Sequence, residues 1–129
     1  MFSGSKAFSG FAVPDIEAAR KFYGETLGLK VSEDNDMGLL TLHLATGADV
    51  MIYPKPDHQP AVFTILNFPV ENIDQAVDQL TERGVTMVRY SGIEGIEQDE
   101  KGVARDPRGP QIAWFTDPAG NVLSVLQAS

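Results

Sequence analysis

"VPDIEAARKFYGETLGLKV" (Val13–Val31) lies over "VENIDQAVDQLTERGVTMV" (Val70–Val88), and this duplication decides the fold. Val13 matches Val70, Asp15 matches Asn72, Ile16 matches Ile73 and Ala19 matches Ala76; Gly28 matches Gly84 only after a slip of one residue. Both copies follow one physical logic. Asp15 or Asn72 offers a side-chain oxygen to the orphan N–H groups of a first helical turn. An amphipathic helix follows. Ile16, Ala19, Phe22, Tyr23 and Leu27 line one side of the first copy, and Ile73, Ala76, Val77 and Leu80 one side of the second. Gly28 or Gly84 then closes the helix. The charges on the other faces, among them Glu17, Arg20, Asp74 and Glu82, read as solvated surface.

The strands repeat as well. "LHLATGADVMIYP" (Leu42–Pro54) resembles "FTDPAGNVLSVLQ" (Phe115–Gln127), with Gly47 over Gly120. In the second, Asp117–Asn121 is the turn: Pro118 presets φ, and Gly120 tolerates positive φ. Each half therefore reads strand, helix, then about three strands, which is βαβββ twice. One domain, 1–129, is expected, with modules of about 1–55 and 61–129. The linker "PKPDHQPA" (Pro54–Ala61) is stiffened by three prolines, and its His58 is expected to be exposed. A second irregular stretch, Tyr90–Gln111, is charged and glycine-rich; it reads as a short strand and then a loop able to cover a site.

Composition narrows the function. The 129 residues are 43% hydrophobic and 22% charged, as in an ordinary globular domain with a real core. A net charge of −8 and the absence of any Lys/Arg run argue against nucleic acid and anionic membrane as partners. The chain has no cysteine, which excludes disulfides, thiolate catalysis and Cys-ligated metal. "MFSGSKAFSG" carries no apolar stretch suited to a signal peptide, and no run is long enough to span a bilayer. A cytoplasmic protein is the expectation.

Period-two alternation divides each strand into two faces. Symmetric pairing about Asp117–Asn121 sets Thr116 opposite Val122 and Trp114 opposite Ser124, while Ala113, Phe115, Leu123 and Val125 share the apolar face beneath a helix. Leu40, Leu42, Leu44, Val50 and Ile52 do the same in the first half, as do Phe11 and Val13 of the first strand and Leu66, Phe68 and Val70 of the fifth. The opposite faces collect Phe8, Thr41, His43, Met51, Tyr53, Phe63, Ile65, Asn67, Trp114 and Ser124. An apolar wall with a few polar groups suits a small-molecule pocket; it equally suits the second layer of a sandwich or a dimer interface.

"FAVPDIEAARKFYGETLGLKV" (Phe11–Val31) with "IAWFTDPAGNVLSVLQ" (Ile112–Gln127) resembles the vicinal oxygen chelate superfamily. That group contains glyoxalase I, bleomycin-resistance proteins, fosfomycin-resistance enzymes and extradiol dioxygenases. The resemblance covers nearly the whole chain. It implies an α+β fold in which two tandem βαβββ modules form a curled mixed sheet, a cup built within one chain or across a homodimer. It also implies one divalent metal held by His or Glu at four equivalent strand positions, a Lewis acid for two neighbouring substrate oxygens. Those positions fall on Phe8, Met51, Ile65 and Ser124. Phe, Met and Ile cannot hold such an ion and serine is a poor ligand, so no metal and no other cofactor is expected at the usual site. His43 and Asp49 should face each other across the first hairpin. As a pair they fall short of the three protein ligands that metal sites usually have.

Two functional readings follow, beside a cup simply filled by its own side chains. In the first, the ten opposite-face residues bind an apolar or aromatic small molecule. In the second, the chain is a metal-dependent or His43-assisted lyase, isomerase or dioxygenase with a shifted site. The sequence leaves open whether the protein is an enzyme.

Overall fold

The side chain of Asp15 accepts hydrogen bonds from the backbone N–H groups of Glu17 and Ala18, and that of Asn72 accepts from Gln75. Both helices thus begin where their capping residues put them. The computed structural model describes residues 1–90 and 96–128, and the chain divides into two units, Met1–Gln59 and Pro60–Ser129, inside the proline-rich linker.

The first unit contains β1 (Ser9–Val13), α1 (Ile16–Arg20), β2 (Lys30–Asp34), β3 (Leu39–His43) and β4 (Asp49–Pro54). Its sheet has the order β1-β4-β3-β2, with β1 parallel to β4 and the other neighbours antiparallel. This is the complete βαβββ module. Val13, Leu40, Leu42, Val50 and Ile52 are buried, as are Ala19, Phe22 and Tyr23 of the helix. Each large side chain so buried contributes about 1.5–3 kcal/mol.

After Arg20 the helix runs on as a π-helical segment, Lys21–Thr26. The Leu27 N–H reaches back five residues to the Phe22 carbonyl. A π turn holds more residues than an α turn. It is here that the first copy accommodates its additional residue relative to the second, so the slip between Gly28 and Gly84 is absorbed within the helix. The adjacent rings of Phe22 and Tyr23 meet edge to face at 5.1 Å, and Phe11 of β1 lies 5.6 Å from Tyr23. Gly28 and Gly84 end both helices with φ of +74° and +82°.

The second unit contains β5 (Thr64–Pro69), α2 (Ile73–Glu82), β6 (Gln111–Thr116) and β7 (Val122–Gln127). Its sheet has the order β5-β7-β6; β5 runs parallel to β7, and β6 antiparallel to it. Ile73, Val77, Leu80, Ala113, Phe115, Leu123 and Val125 form its core. The side chain of Gln127 accepts from the Ile73 N–H at 2.8 Å and ties the start of α2 to the end of β7. Of the three strands expected after α2, the first is, among the described residues, an isolated pairing of Met87 with Phe115.

Of Tyr90–Gln111, residues 91–95 lie outside the described residues. The remainder holds a small hairpin: Gln98 pairs with Ala104, and Ala104 with Ile112 of β6. Its turn, Asp99–Val103, has the same bonds as Asp117–Asn121. In each, the first residue's N–H donates to the fifth residue's carbonyl, the glycine N–H donates back to the first, and the aspartate Oδ1 accepts from the third and fifth N–H groups. The sequence signal was Asp-x-x-Gly, present in "DEKGV" as in "DPAGN". Arg105 fastens this hairpin to Asp99, Asp74 and Gln111. Among the described residues, no helix is long and apolar enough to cross a membrane.

A methyl group added at Gly84 meets open space, so Gly84→Ala tests backbone conformation alone. Chemical denaturation should show a loss of about 1–2 kcal/mol, the cost of a non-glycine residue at positive φ. Partial burial pushes the Asp99 carboxyl up, but the Val103 N–H, the Arg105 guanidinium and the Lys101 N–H outweigh it, and the net shift is downward. Asp99 therefore adds stability above the ordinary aspartate value of about 3.9, and this is lost as pH falls through its lowered folded value. Acid unfolding of Asp99→Asn should be less steep over that range.

Candidate functional site

The last hairpin is held from its turn. The Asp117 carboxylate is buried; its Oδ1 accepts from the N–H groups of Ala119 and Asn121, and its Oδ2 from Asn121 Nδ2, each at 2.9 Å. Gly120 takes φ +88°, and a Cβ there would lie 3.2 Å from Pro60 Cγ. The register that results sets Thr116 opposite Val122 and Trp114 opposite Ser124, as the alternation requires.

Ser124 is also paired with Asn67 across β5, so Trp114, Ser124 and Asn67 form one row over the sheet. Ser124 is fully buried, and its Oγ donates to Asn67 Oδ1 at 2.5 Å. Asn67 is exposed. Trp114 is half-buried, with the Tyr90 ring edge-on at 5.1 Å. Ile65 sits at a β-bulge: Thr64 pairs with Val122 and Leu66 with Leu123, leaving Ile65 as the additional residue. The bulge breaks the alternation beyond it. Phe63, placed by simple alternation with Ile65 and Asn67, lies outside β5 and is 68% exposed.

In the first unit Gly10, Met51, Thr41 and Ser32 form one row across β1, β4, β3 and β2. A Cβ at Gly10 would make a tight contact, 3.1 Å from the Met51 carbonyl oxygen. Tyr53 pairs with Ala12 and is exposed. Phe8, read as part of the first strand, precedes β1 and is 67% exposed. The next row is Lys30, His43 and Asp49. His43 Nδ1 lies 2.9 Å from Asp49 Oδ1, and His43 Nε2 lies 2.5 Å from Ser32 Oγ. Ser32 was missed by sequence reasoning. Its place beside His43 is diagonal across two strands and follows only from the register. His58, expected to be exposed, is partly buried; its Nε2 is shut off from solvent and makes no hydrogen bond among the described residues.

The four positions where the resemblance implies metal ligands offer three side chains that cannot hold such an ion and one serine whose hydroxyl is bound to Asn67. Among the described residues, no three His, Asp or Glu side chains come together to hold an ion. The donor set does not fit the metal. A separate groove of about 650 Å³ lies along the second unit's irregular stretch, lined by Glu97, Asp99, Val103, Arg105 and Arg108 among others. Its cations are engaged. Arg105 pairs with Asp74 and Asp99, and Arg108 with Asp106, whose carboxyl it holds down to about 2.

A sequence profile of the Glyoxalase/Bleomycin resistance protein/Dioxygenase superfamily matches residues 8–125. No match is found among curated proteins. Similar solved structures include the fosfomycin resistance protein FosX from Listeria monocytogenes, 13% identical with a TM-score of 0.73, covering 100% of this chain and 96% of that one. A superfamily member from Sphaerobacter thermophilus is 25% identical with a TM-score of 0.69, covering 94% and 96%. TnmS3, an antibiotic binding protein from Streptomyces sp. CB03234, is 24% identical with a TM-score of 0.66, covering 98% of each chain.

Removing the Asp117 carboxylate leaves two backbone donors unpaired in a buried turn. Asp117→Ala should lose about 2–3 kcal/mol in denaturant titration. Ser124→Ala, which leaves the exposed Asn67 free to bond water, should lose no more than about 1.5 kcal/mol.

Proposed function

The chain belongs to the Glyoxalase/Bleomycin resistance protein/Dioxygenase superfamily, and from that premise we propose that it binds an apolar or aromatic small molecule without the superfamily's usual metal. The observation that carries this reading is the Trp114–Ser124–Asn67 row. Ser124 engages Asn67 Oδ1, so what the Asn67 carboxamide offers a ligand is the N–H donors on Nδ2. Two strands away, across Ser124, the half-buried indole of Trp114 offers a flat apolar surface. The ligand therefore has a planar apolar body and a hydrogen-bond acceptor at its edge.

In the same unit Phe63 adds exposed aromatic area and Ile65 further apolar surface. The net charge of −8 favours a ligand with a cationic group. The similarity to an antibiotic binding protein supports a small-molecule ligand. A metal-dependent lyase, isomerase or dioxygenase is less well supported, because the four usual ligand positions carry Phe8, Met51, Ile65 and Ser124. The same reading takes the protein as a cytoplasmic homodimer. Exposed Val62 and Phe63, adjacent in the chain, support an apolar patch that a second copy covers.

Trp114 is the only tryptophan, so its emission reports on the site directly. Titration with a panel of planar aromatic compounds, cationic ones included, should shift or quench that emission and raise the melting temperature. Asn67→Ala should weaken binding about two- to tenfold. If no compound moves either signal, or if protein purified without chelator carries stoichiometric metal, the reading fails.

A further inference from the structure

Ser32, His43 and Asp49 stand in line across three neighbouring strands of the first unit. Lys30, His43 and Asp49 share a register position on β2, β3 and β4. Ser32 lies two residues beyond Lys30 on β2, hence on the same face and diagonal to His43. Asp49 Oδ1 is 2.9 Å from His43 Nδ1, and Ser32 Oγ is 2.5 Å from His43 Nε2.

The chemistry of these groups orders the protons. An ionised carboxylate can only accept, so the bond to Asp49 places the imidazole hydrogen on Nδ1. Nε2 is then an acceptor, and the Ser32 hydroxyl is its donor. A carboxylate that orients an imidazole, whose other nitrogen receives a serine proton, is the arrangement that activates serine for acyl transfer. The array is open: the His43 side chain is 33% exposed and that of Asp49 55%, and Ser32 is exposed.

We propose that Ser32 is a nucleophile toward small activated carboxylic esters, with His43 as its general base and Asp49 as a positioning residue. The proposal rests on residues other than the Trp114 row, so it stands or falls apart from ligand binding there. Ser32 Oγ adds to the ester carbonyl carbon while its proton passes to His43 Nε2, and the carbonyl electron pair moves onto oxygen. When that pair returns, the bond to the leaving oxygen breaks; the leaving group takes the proton from Nε2 and acyl-Ser32 remains. Water then adds to the acyl carbon and gives a proton to Nε2. Collapse releases the carboxylic acid and returns the proton to Ser32 Oγ. The net change is ester and water to acid and alcohol. Lys30, paired with His43, places a cation on the face where the oxyanion develops.

An aryl fluorophosphonate, followed by intact mass and peptide mapping, tests the assignment on the wild-type chain. One adduct on Ser32 is expected, with a matching burst of nitrophenol from p-nitrophenyl acetate. Ser32→Ala should abolish both, and His43→Ala should slow both about a hundredfold. These substitutions are at partly or fully exposed strand positions, and circular dichroism checks the fold. For Asp49, the ring ¹⁵N spectrum of His43 should show the Nδ1–H form in the wild type and lose it in Asp49→Asn, with slower phosphonylation. An absent Ser32 adduct, or an adduct formed equally fast in His43→Ala, overturns the proposal.

Discussion

The buried carboxylate of Asp117 holds the last hairpin in one register, and the polar row of the second unit depends on that register. It receives three hydrogen bonds from within the turn. A one-residue slip in a strand moves every side chain to the other face. With the turn in place, Leu123 and Val125 go to the core while Ser124 meets Trp114 on one side and Asn67 on the other. The first unit makes the corresponding turn by other means. Leu44 and Ala48 exchange the same backbone bond, Gly47 takes φ +91°, and Thr46 Oγ1 accepts from Ala48. No carboxylate is buried there, and the strand beyond it delivers Asp49 to His43.

The helical segments of the two units differ in length and winding. The first helix widens into a π turn and buries two consecutive aromatics, Phe22 and Tyr23, the latter against Phe11. The second stays α-helical to Glu82 and packs smaller side chains. A single additional residue thus separates the two helical segments, which share caps and closing glycines. The first sheet has four strands, whereas among the described residues the second has three, with isolated pairings and the Asp99–Val103 hairpin beside them.

Much of this is legible in the sequence because alternation and capping are local rules. The two helices, the helix-facing residues, the Trp114–Ser124 pairing and the meeting of His43 with Asp49 all follow from period, cap and turn. The misreadings have local causes too. Alternation assumes an unbroken strand, so it carried Phe63 across the bulge at Ile65 and extended the first strand to Phe8. The Asp99 turn was readable from its Asp-x-x-Gly signal but lay inside a charged, glycine-rich stretch that masked it. His58 shows the opposite limit: a proline-rich linker suggests exposure, yet packing withdraws its Nε2 from solvent.

The sequence by itself determined the duplication, the capped amphipathic helices and the faces of the strands. Each depends on residue type and short-range spacing. Only the tertiary structure decided which polar groups meet. The Ser124 hydroxyl goes to Asn67 through a parallel pairing of strands distant in the chain, and Ser32 goes to His43 on a diagonal between strands. Side-chain partners across a sheet are set by register between strands, and register is a property of the folded pair, not of either strand's own residues.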